Sequence, residues 1–316
     1  MTTETFKLSY ALKAKTKAQD GISLFDYFLI AGVVLSWGVA FIGIKATAQQ
    51  VIPAQAAGMR FFLAALPLLF FALRAGKLKR WSRTDLLKVA LLGFLQTAVV
   101  FGIIYTASVA VPAGVVAIIA NTNPFFVAIL AHFVLNDKLT KQKLLGLVVG
   151  FSGVVMVVSN NLNLQTAAVV APLFILLAAV CWGSSSVLLK KFGFTDMVSV
   201  SGWQMLFGSI PLLIIGFGLD SQPFANWNWN FILWTLYTAF VASTFGWWAW
   251  FRVLQKYNAS KISVYLFLVP ICGVLCGALF LGEKLTYNLL FGGGLVVLGV
   301  VLVNLRIQQR TKKADE

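Results

Sequence analysis

The sequence predicts an all-α integral membrane protein: ten transmembrane helices arranged as two inverted five-helix repeats, with both termini in the cytoplasm. Three observations carry this. Of 316 residues, 59% are hydrophobic and 11% charged, with a mean hydropathy of +0.87, whereas soluble domains carry about 25% charged residues. Ten apolar runs of membrane-spanning length follow one another with short breaks. Finally, short motifs of the first half recur in order in the second. The 27 Phe, 10 Trp and 7 Tyr exclude a disordered chain, which is poor in aromatic residues.

A helix crosses the hydrocarbon with about 20 apolar residues. The segments of that kind are 25–44, 54–73, 86–106, 109–135, 144–159, 172–189, 198–218, 231–251, 262–281 and 289–305. The intervening gaps leave no room for a soluble domain. The expected organisation is therefore a basic cytoplasmic tail at 1–24, a first repeat at 25–160, a second at 161–305, and a second basic tail at 306–316. Lys7, Lys13, Lys15 and Lys17 precede any apolar core, so no cleavable signal peptide is expected and the first span targets the chain itself.

The balance of 25 Lys and Arg against 10 Asp and Glu gives a formal charge of +15. In a soluble chain that would raise nucleic acid as a partner. Here the basic residues mark topology, and none is expected to bind nucleic acid. With an even number of spans both termini share a side, and 22 of the 25 basic residues fall on it. Lys45 and Lys284 fall on the other, and Arg60 lies within the second span. The N-in, C-in orientation follows from the positive-inside rule. Trp227 and Trp229 then belong to an outer aromatic belt.

The repeat is visible residue by residue. Ser36-Trp37-Gly38 with Lys45 matches Cys181-Trp182-Gly183 with Lys190 at an offset of 145. Ala65-Leu66-Pro67-Leu68-Leu69 matches Ser209-Ile210-Pro211-Leu212-Leu213 at 144, and Pro124 matches Pro270 at 146. Lys138-Leu139-Thr140 matches Lys284-Leu285-Thr286, followed by Gly146 with Gly292 and Gly153 with Gly299. Five spans per repeat is an odd number, so the second repeat enters the membrane from the opposite side. Inverted repeats are a recurring plan of secondary transporters, whose substrate site lies near the midplane between the halves.

The motifs resemble the EamA type of the drug/metabolite transporter superfamily. The resemblance rests on Ser36-Trp37-Gly38 running to Lys45, on Arg60-Phe61-Phe62-Leu63-Ala64-Ala65, and on Trp203-Gln204 with Leu206. Pro270, Leu281-Gly282-Glu283-Lys284-Leu285-Thr286 and the glycines from Gly292 to Gly299 complete it. It covers residues 25 to 305. In the first repeat Asn136-Asp137-Lys138 replaces the usual Gly-Glu-basic sequence. The resemblance implies two helical bundles around an alternately opened central cavity. It also implies export of small metabolites, commonly amino acids and their analogues.

The acids all fall in tails, loops or span ends, and none at the midplane. Proton pumps commonly use buried acid or His relays, so uniport or exchange is the simpler expectation. Arg60 lies about six residues from the outer end of its span, roughly 9 Å deep. Two readings stand: an outer anchor snorkelling to the interface, or a vestibule contact for a carboxylate. His132, the only His, sits one turn from the inner end beside Asn136 and Asp137, where a structural or interfacial role is the simpler reading and proton coupling the alternative. Asn121, Asn123 and Pro124 interrupt the fourth span, and Pro270 sits at the matching depth in the ninth. Proline leaves backbone polarity unpaired, which a membrane tolerates at a cavity. Asn121 is the leading substrate contact. About 200 degrees separate it from Asn123 on a helix, so only one of the two is expected to face the cavity.

Gln96, Trp37, Trp182 and Tyr265 complete the midspan polar groups offered as substrate contacts, with Pro124 and Pro270 as helix-break or gating positions. Trp247, Trp248 and Trp250 read as an inner aromatic belt. Cys181, Cys272 and Cys276 lack metal-ligand spacing, so neither a metal nor a cofactor is expected. The partners expected are a small-molecule substrate and the bilayer, and a monomer suffices. A membrane-embedded enzyme would need clustered acids or a metal site, and a channel would need a continuous polar pore. The pattern fits neither as well as it fits a secondary exporter in the cell's inner (plasma) membrane, carrying neutral or zwitterionic cargo or, alternatively, drugs and other amphiphiles.

Overall fold

The computed structural model describes residues 22–76, 81–137, 139–159, 166–220, 224, 227–257 and 262–304. The two basic tails (except for residues 22–24), Lys138, Lys261 and part of the loop from 220 to 230 lie outside these residues. The described residues form helices joined by turns, with no strand among them, in ten successive crossings. These are α1 (Leu24–Ala48), α2 (Pro53–Arg74), α3 (Arg83–Ala110), α4 (Ala113–Leu135), α5 (Lys141–Ser159), α6 (Thr166–Phe192), α7 (Met197–Gly218), α8, α9 and α10 (Tyr287–Asn304). The eighth is built of Trp229–Leu236, Tyr237–Phe245 and Gly246–Lys256, and the ninth of Ser263–Phe267 and Leu268–Leu281. Eight of the helices are long and apolar enough to cross a membrane; α8, with its tryptophans, and the shorter α9 make up the ten.

Local chemistry sets the starts. Ser23 and Ser82 accept the backbone N–H of Asp26 and Asp85 and donate back to their carboxylates, which satisfies orphan donors at both helix starts. Asp196 and Asn228 cap α7 and α8. Pro53 opens α2, where its missing N–H costs nothing.

The packing is symmetric between the repeats. Helix α2 packs on α7, α5 on α10, and α4 on α9, each helix against its own counterpart. The other pairs come as exchanges: α1 with α9 matches α6 with α4, and α3 with α6 and α7 matches α8 with α1 and α2. That is the contact pattern of a pseudo-two-fold axis between inverted halves. Glycine permits the closest of these approaches. Along α5, Gly146 and Gly153 face the backbone carbonyls of Gly299 and Gly292, and any Cβ there would collide with them, so backbone packs on backbone, as membrane helices do through small residues.

Irregular helix is also duplicated. Six residues of α3, Phe94–Val99, and nine of α8, Tyr237–Phe245, are wound as π-helix, a winding that is rare and concentrated at functional sites. Helix α4 breaks at Asn121 and Thr122, and α9 begins as a 3-10 turn. The interruption expected in the fourth span is present, whereas Pro270 lies within the continuous helix Leu268–Leu281, just after the 3-10 turn. The unusual Asn136 takes a left-handed φ of 56°, beside 65° at its counterpart Gly282. Asp137 and Glu283 then donate their N–H to Ala131 and Gly277 in the same way. Asn tolerates this conformation better than other non-glycine residues, so both loops keep one geometry.

Candidate functional site

The irregular segments of α4, α8 and α9 border a central cavity of about 380 Å³, between α1, α2, α3, α4, α6, α8, α9 and α10. Its walls are Trp37, Phe41, Phe101, Trp182, Trp247 and Trp250, with Arg60, Asn121, Asn123 and Ser186 as the polar groups. A mostly apolar cavity with few convergent polar groups is the usual form of a small-molecule site. The cavity extends to Leu266 and Asn304, at the cytoplasmic ends of α9 and α10.

The π-segment of α8 shapes one wall. The Trp37 indole N–H donates to the Ala242 carbonyl at 2.8 Å. Ser243 donates to Thr238, five residues back, and accepts from Arg60 Nε at 3.0 Å. Helix winding with i to i+5 spacing thus presents a carbonyl and a hydroxyl inward that an α-helix would keep on its own ladder.

Arg60 corrects one expectation. It does not snorkel to the outer interface but is buried, 5% exposed, within the cavity wall. The guanidinium carbon stands 4.9 Å from the Phe61 ring and 5.2 Å from the Phe101 ring. The reason is Ser243: a hydroxyl across the bundle and two aromatic faces offer the guanidinium more than the interface does. Its Nη1 is buried without a hydrogen-bond partner.

Asn121 and Asn123 correct another. Both line the cavity, because the 200-degree separation holds only along an unbroken helix and the turn at 121–122 resets the phase. Their amide nitrogens cap the first half of α4, donating to Ala117 and Ala120 at 2.7 and 3.2 Å. Pro124 and Pro270 also line the cavity, as do Trp37 and Trp182. Gln96 does not. It accepts from Ser185 at 3.1 Å in an adjoining pocket of about 120 Å³, with Thr97 and Gln204. Tyr265 meets Tyr27 edge-on instead, since the 3-10 turn directs Leu266 and Phe267 inward. His132 is exposed and held by the Asp137 carbonyl at 3.0 Å.

Sequence reasoning missed Trp247 and Trp250, which pack tilted against Trp37 rather than forming a belt; only Trp248 faces outward, beside Arg252. Their spacing of three was the available signal. Also missed was Glu283. Its carboxylate receives Lys45 Nζ at 2.9 Å and the N–H groups of Ala113 and Gly114, at 2.7 and 3.1 Å. One acid thereby joins α9, α1 and the N-terminus of α4, where the helix dipole favours an anion. This network lies at the outer end of the bundle.

A model of the EamA-like transporter family matches residues 24–159 and again 169–305. The chain belongs to that family. A probable amino-acid metabolite efflux pump of Salmonella typhimurium is 30% identical over 292 residues, covering 88% of this chain and 94% of its own. The protein of the same description from Escherichia coli is 29% identical over 291 residues, covering 88% and 92%. An uncharacterized transporter of Bacillus subtilis is 28% identical over 283 residues, covering 89% and 97%. Among solved structures, one crystal structure matches with a TM-score of 0.64 at 14% identity, over 88% of this chain and 95% of that one, which supports the shared fold. This EamA-like chain is a multi-pass membrane transporter.

Proposed function

We propose that this transporter exports small metabolites, amino acids or related zwitterionic or neutral compounds, by alternating access of the central cavity. The observation that carries the reading is the cavity itself. It sits between the inverted repeats and reaches the cytoplasmic ends of α9 and α10, while the Glu283 network ties α1, α4 and α9 together at the outer end of the bundle. Cytoplasmic cargo enters this arrangement first, and release outward requires that network to open. The efflux pumps named among its relatives support the same cargo class. Asn121, Asn123, Arg60 and the indoles Trp37 and Trp182 are the proposed contacts, Gln96 and Tyr265 falling outside the cavity. A bundle with a complete cavity in one chain needs no second copy.

Counterflow tests this. Proteoliposomes preloaded with pooled unlabelled amino acids should take up a labelled member with saturable kinetics at zero proton gradient, and Asn121→Ala should reduce that uptake with folded yield unchanged. Failure of every pooled member to exchange in folded protein would contradict the cargo class.

A further inference from the structure

We infer that the cargo carries a carboxylate and that Arg60 receives it, the ligand being a small monocarboxylate with an apolar or aromatic remainder. The inference rests on the export reading and narrows it to one chemistry.

An arginine fork presents five N–H donors in a plane and matches a carboxylate with two parallel bonds. Here Nε is used by Ser243, while Nη1 is buried and unpartnered. Burying a charged donor without a partner is costly, and two ring faces offset part of that but accept no directional bond. Among the described residues no carboxylate pairs with Arg60. Asp26 is held by Lys256, Tyr257 and Ser23, and Glu283 by Lys45 and α4. Asp85 pairs with Lys88 and Asp137 with Lys190. The positive charge thus stands in the cavity wall without an anion of its own.

The other repeat shows that the fold does not require this charge. Position 204, the counterpart of Arg60 at an offset of 144, is Gln, buried in the adjoining pocket with Gln96. A neutral amide fills the equivalent place between α7 and α3. The cationic half-site is therefore an addition on one side. Around it Phe101, Trp37, Trp182 and Trp247 form a wall suited to an apolar or aromatic remainder, which a bare inorganic anion would leave empty.

Four indoles line the cavity, so tryptophan fluorescence of the purified full chain in detergent reads occupancy. The probes are 3-phenylpropionate, its amide 3-phenylpropionamide, and sodium chloride. The acid should bind at least about tenfold more tightly than the amide, as a site built to bond one group rejects the analogue lacking it. Arg60→Gln should remove that preference, weakening the acid far more than the amide. Arg60→Lys, which keeps charge but loses the fork, should restore part of it and serves if the Gln variant does not fold. Equal binding of acid and amide, equal weakening of both by the substitution, no response to either, or displacement of the acid by stoichiometric chloride would each overturn the inference. If the acid binds as expected but counterflow is absent, the export reading falls and the site stands. If counterflow proceeds and Arg60→Gln leaves the preference for acid over amide intact, only this inference falls.

Discussion

Glu283 and Asp137 occupy equivalent loops of the two repeats, follow equivalent left-handed residues, and face equivalent lysines, yet they do different things. At the outer end Glu283 and Lys45 are 10% and 18% exposed and 2.9 Å apart, and the acid also caps α4. At the cytoplasmic end Asp137 and Lys190 are 47% and 66% exposed and 3.4 Å apart. One sequence pattern thus appears once as a closed latch and once as a loose surface pair. The difference teaches that inverted repeats with matching parts need not hold matching conformations. The same parts are held tightly at one end of the bundle and loosely at the other, an asymmetry on which the proposed alternating access would act.

The largest expected break in this comparison is Glu283→Gln. It leaves Lys45 without an anion and weakens the cap on α4, and removing one partner of a buried pair typically costs about 3–5 kcal/mol; for this partly exposed pair about 2 kcal/mol is expected from chemical unfolding in detergent. Next, Gly282→Ala places a Cβ in a left-handed position and should destabilise by about 1 kcal/mol, while disturbing the approach of Glu283 to α4. Asp137→Asn removes an exposed ion pair and should change stability by less than about 0.5 kcal/mol. Smallest of all, Asn136→Gly relieves a position already tolerated and should be neutral or stabilising by at most about 0.5 kcal/mol. Equal costs for the Glu283 and Asp137 substitutions would remove the asymmetry from the account.

The fold was legible because its causes are local and repeated: apolar runs of spanning length, basic loops on one side, and motifs recurring at offsets near 145. The break in α4 was legible from Asn121 and Pro124, whereas Pro270 marks no break. Much of the site was not. Arg60 reads as an interfacial anchor until Ser243, 183 residues away, is seen to reach it. The π-winding that presents Ser243 and Ala242 has no residue signature, and the broken helix that admits both Asn121 and Asn123 invalidates angular arithmetic on a continuous one. Glu283 looks like a loop acid because the helix N-terminus it caps lies 170 residues earlier. Gln96 and Tyr265 were polar and midspan, but polarity alone did not say which pocket each would face.

The most direct test of the account is the sidedness of cavity access. With Cys181, Cys272 and Cys276 replaced by alanine, Ser186→Cys places a thiol in the cavity wall, and a membrane-impermeant maleimide can be applied to either face of oriented vesicles. The account predicts labelling from the cytoplasmic side about tenfold faster than from outside, and faster external labelling once Glu283→Gln is added. External labelling as fast as cytoplasmic labelling with Glu283 intact would contradict it.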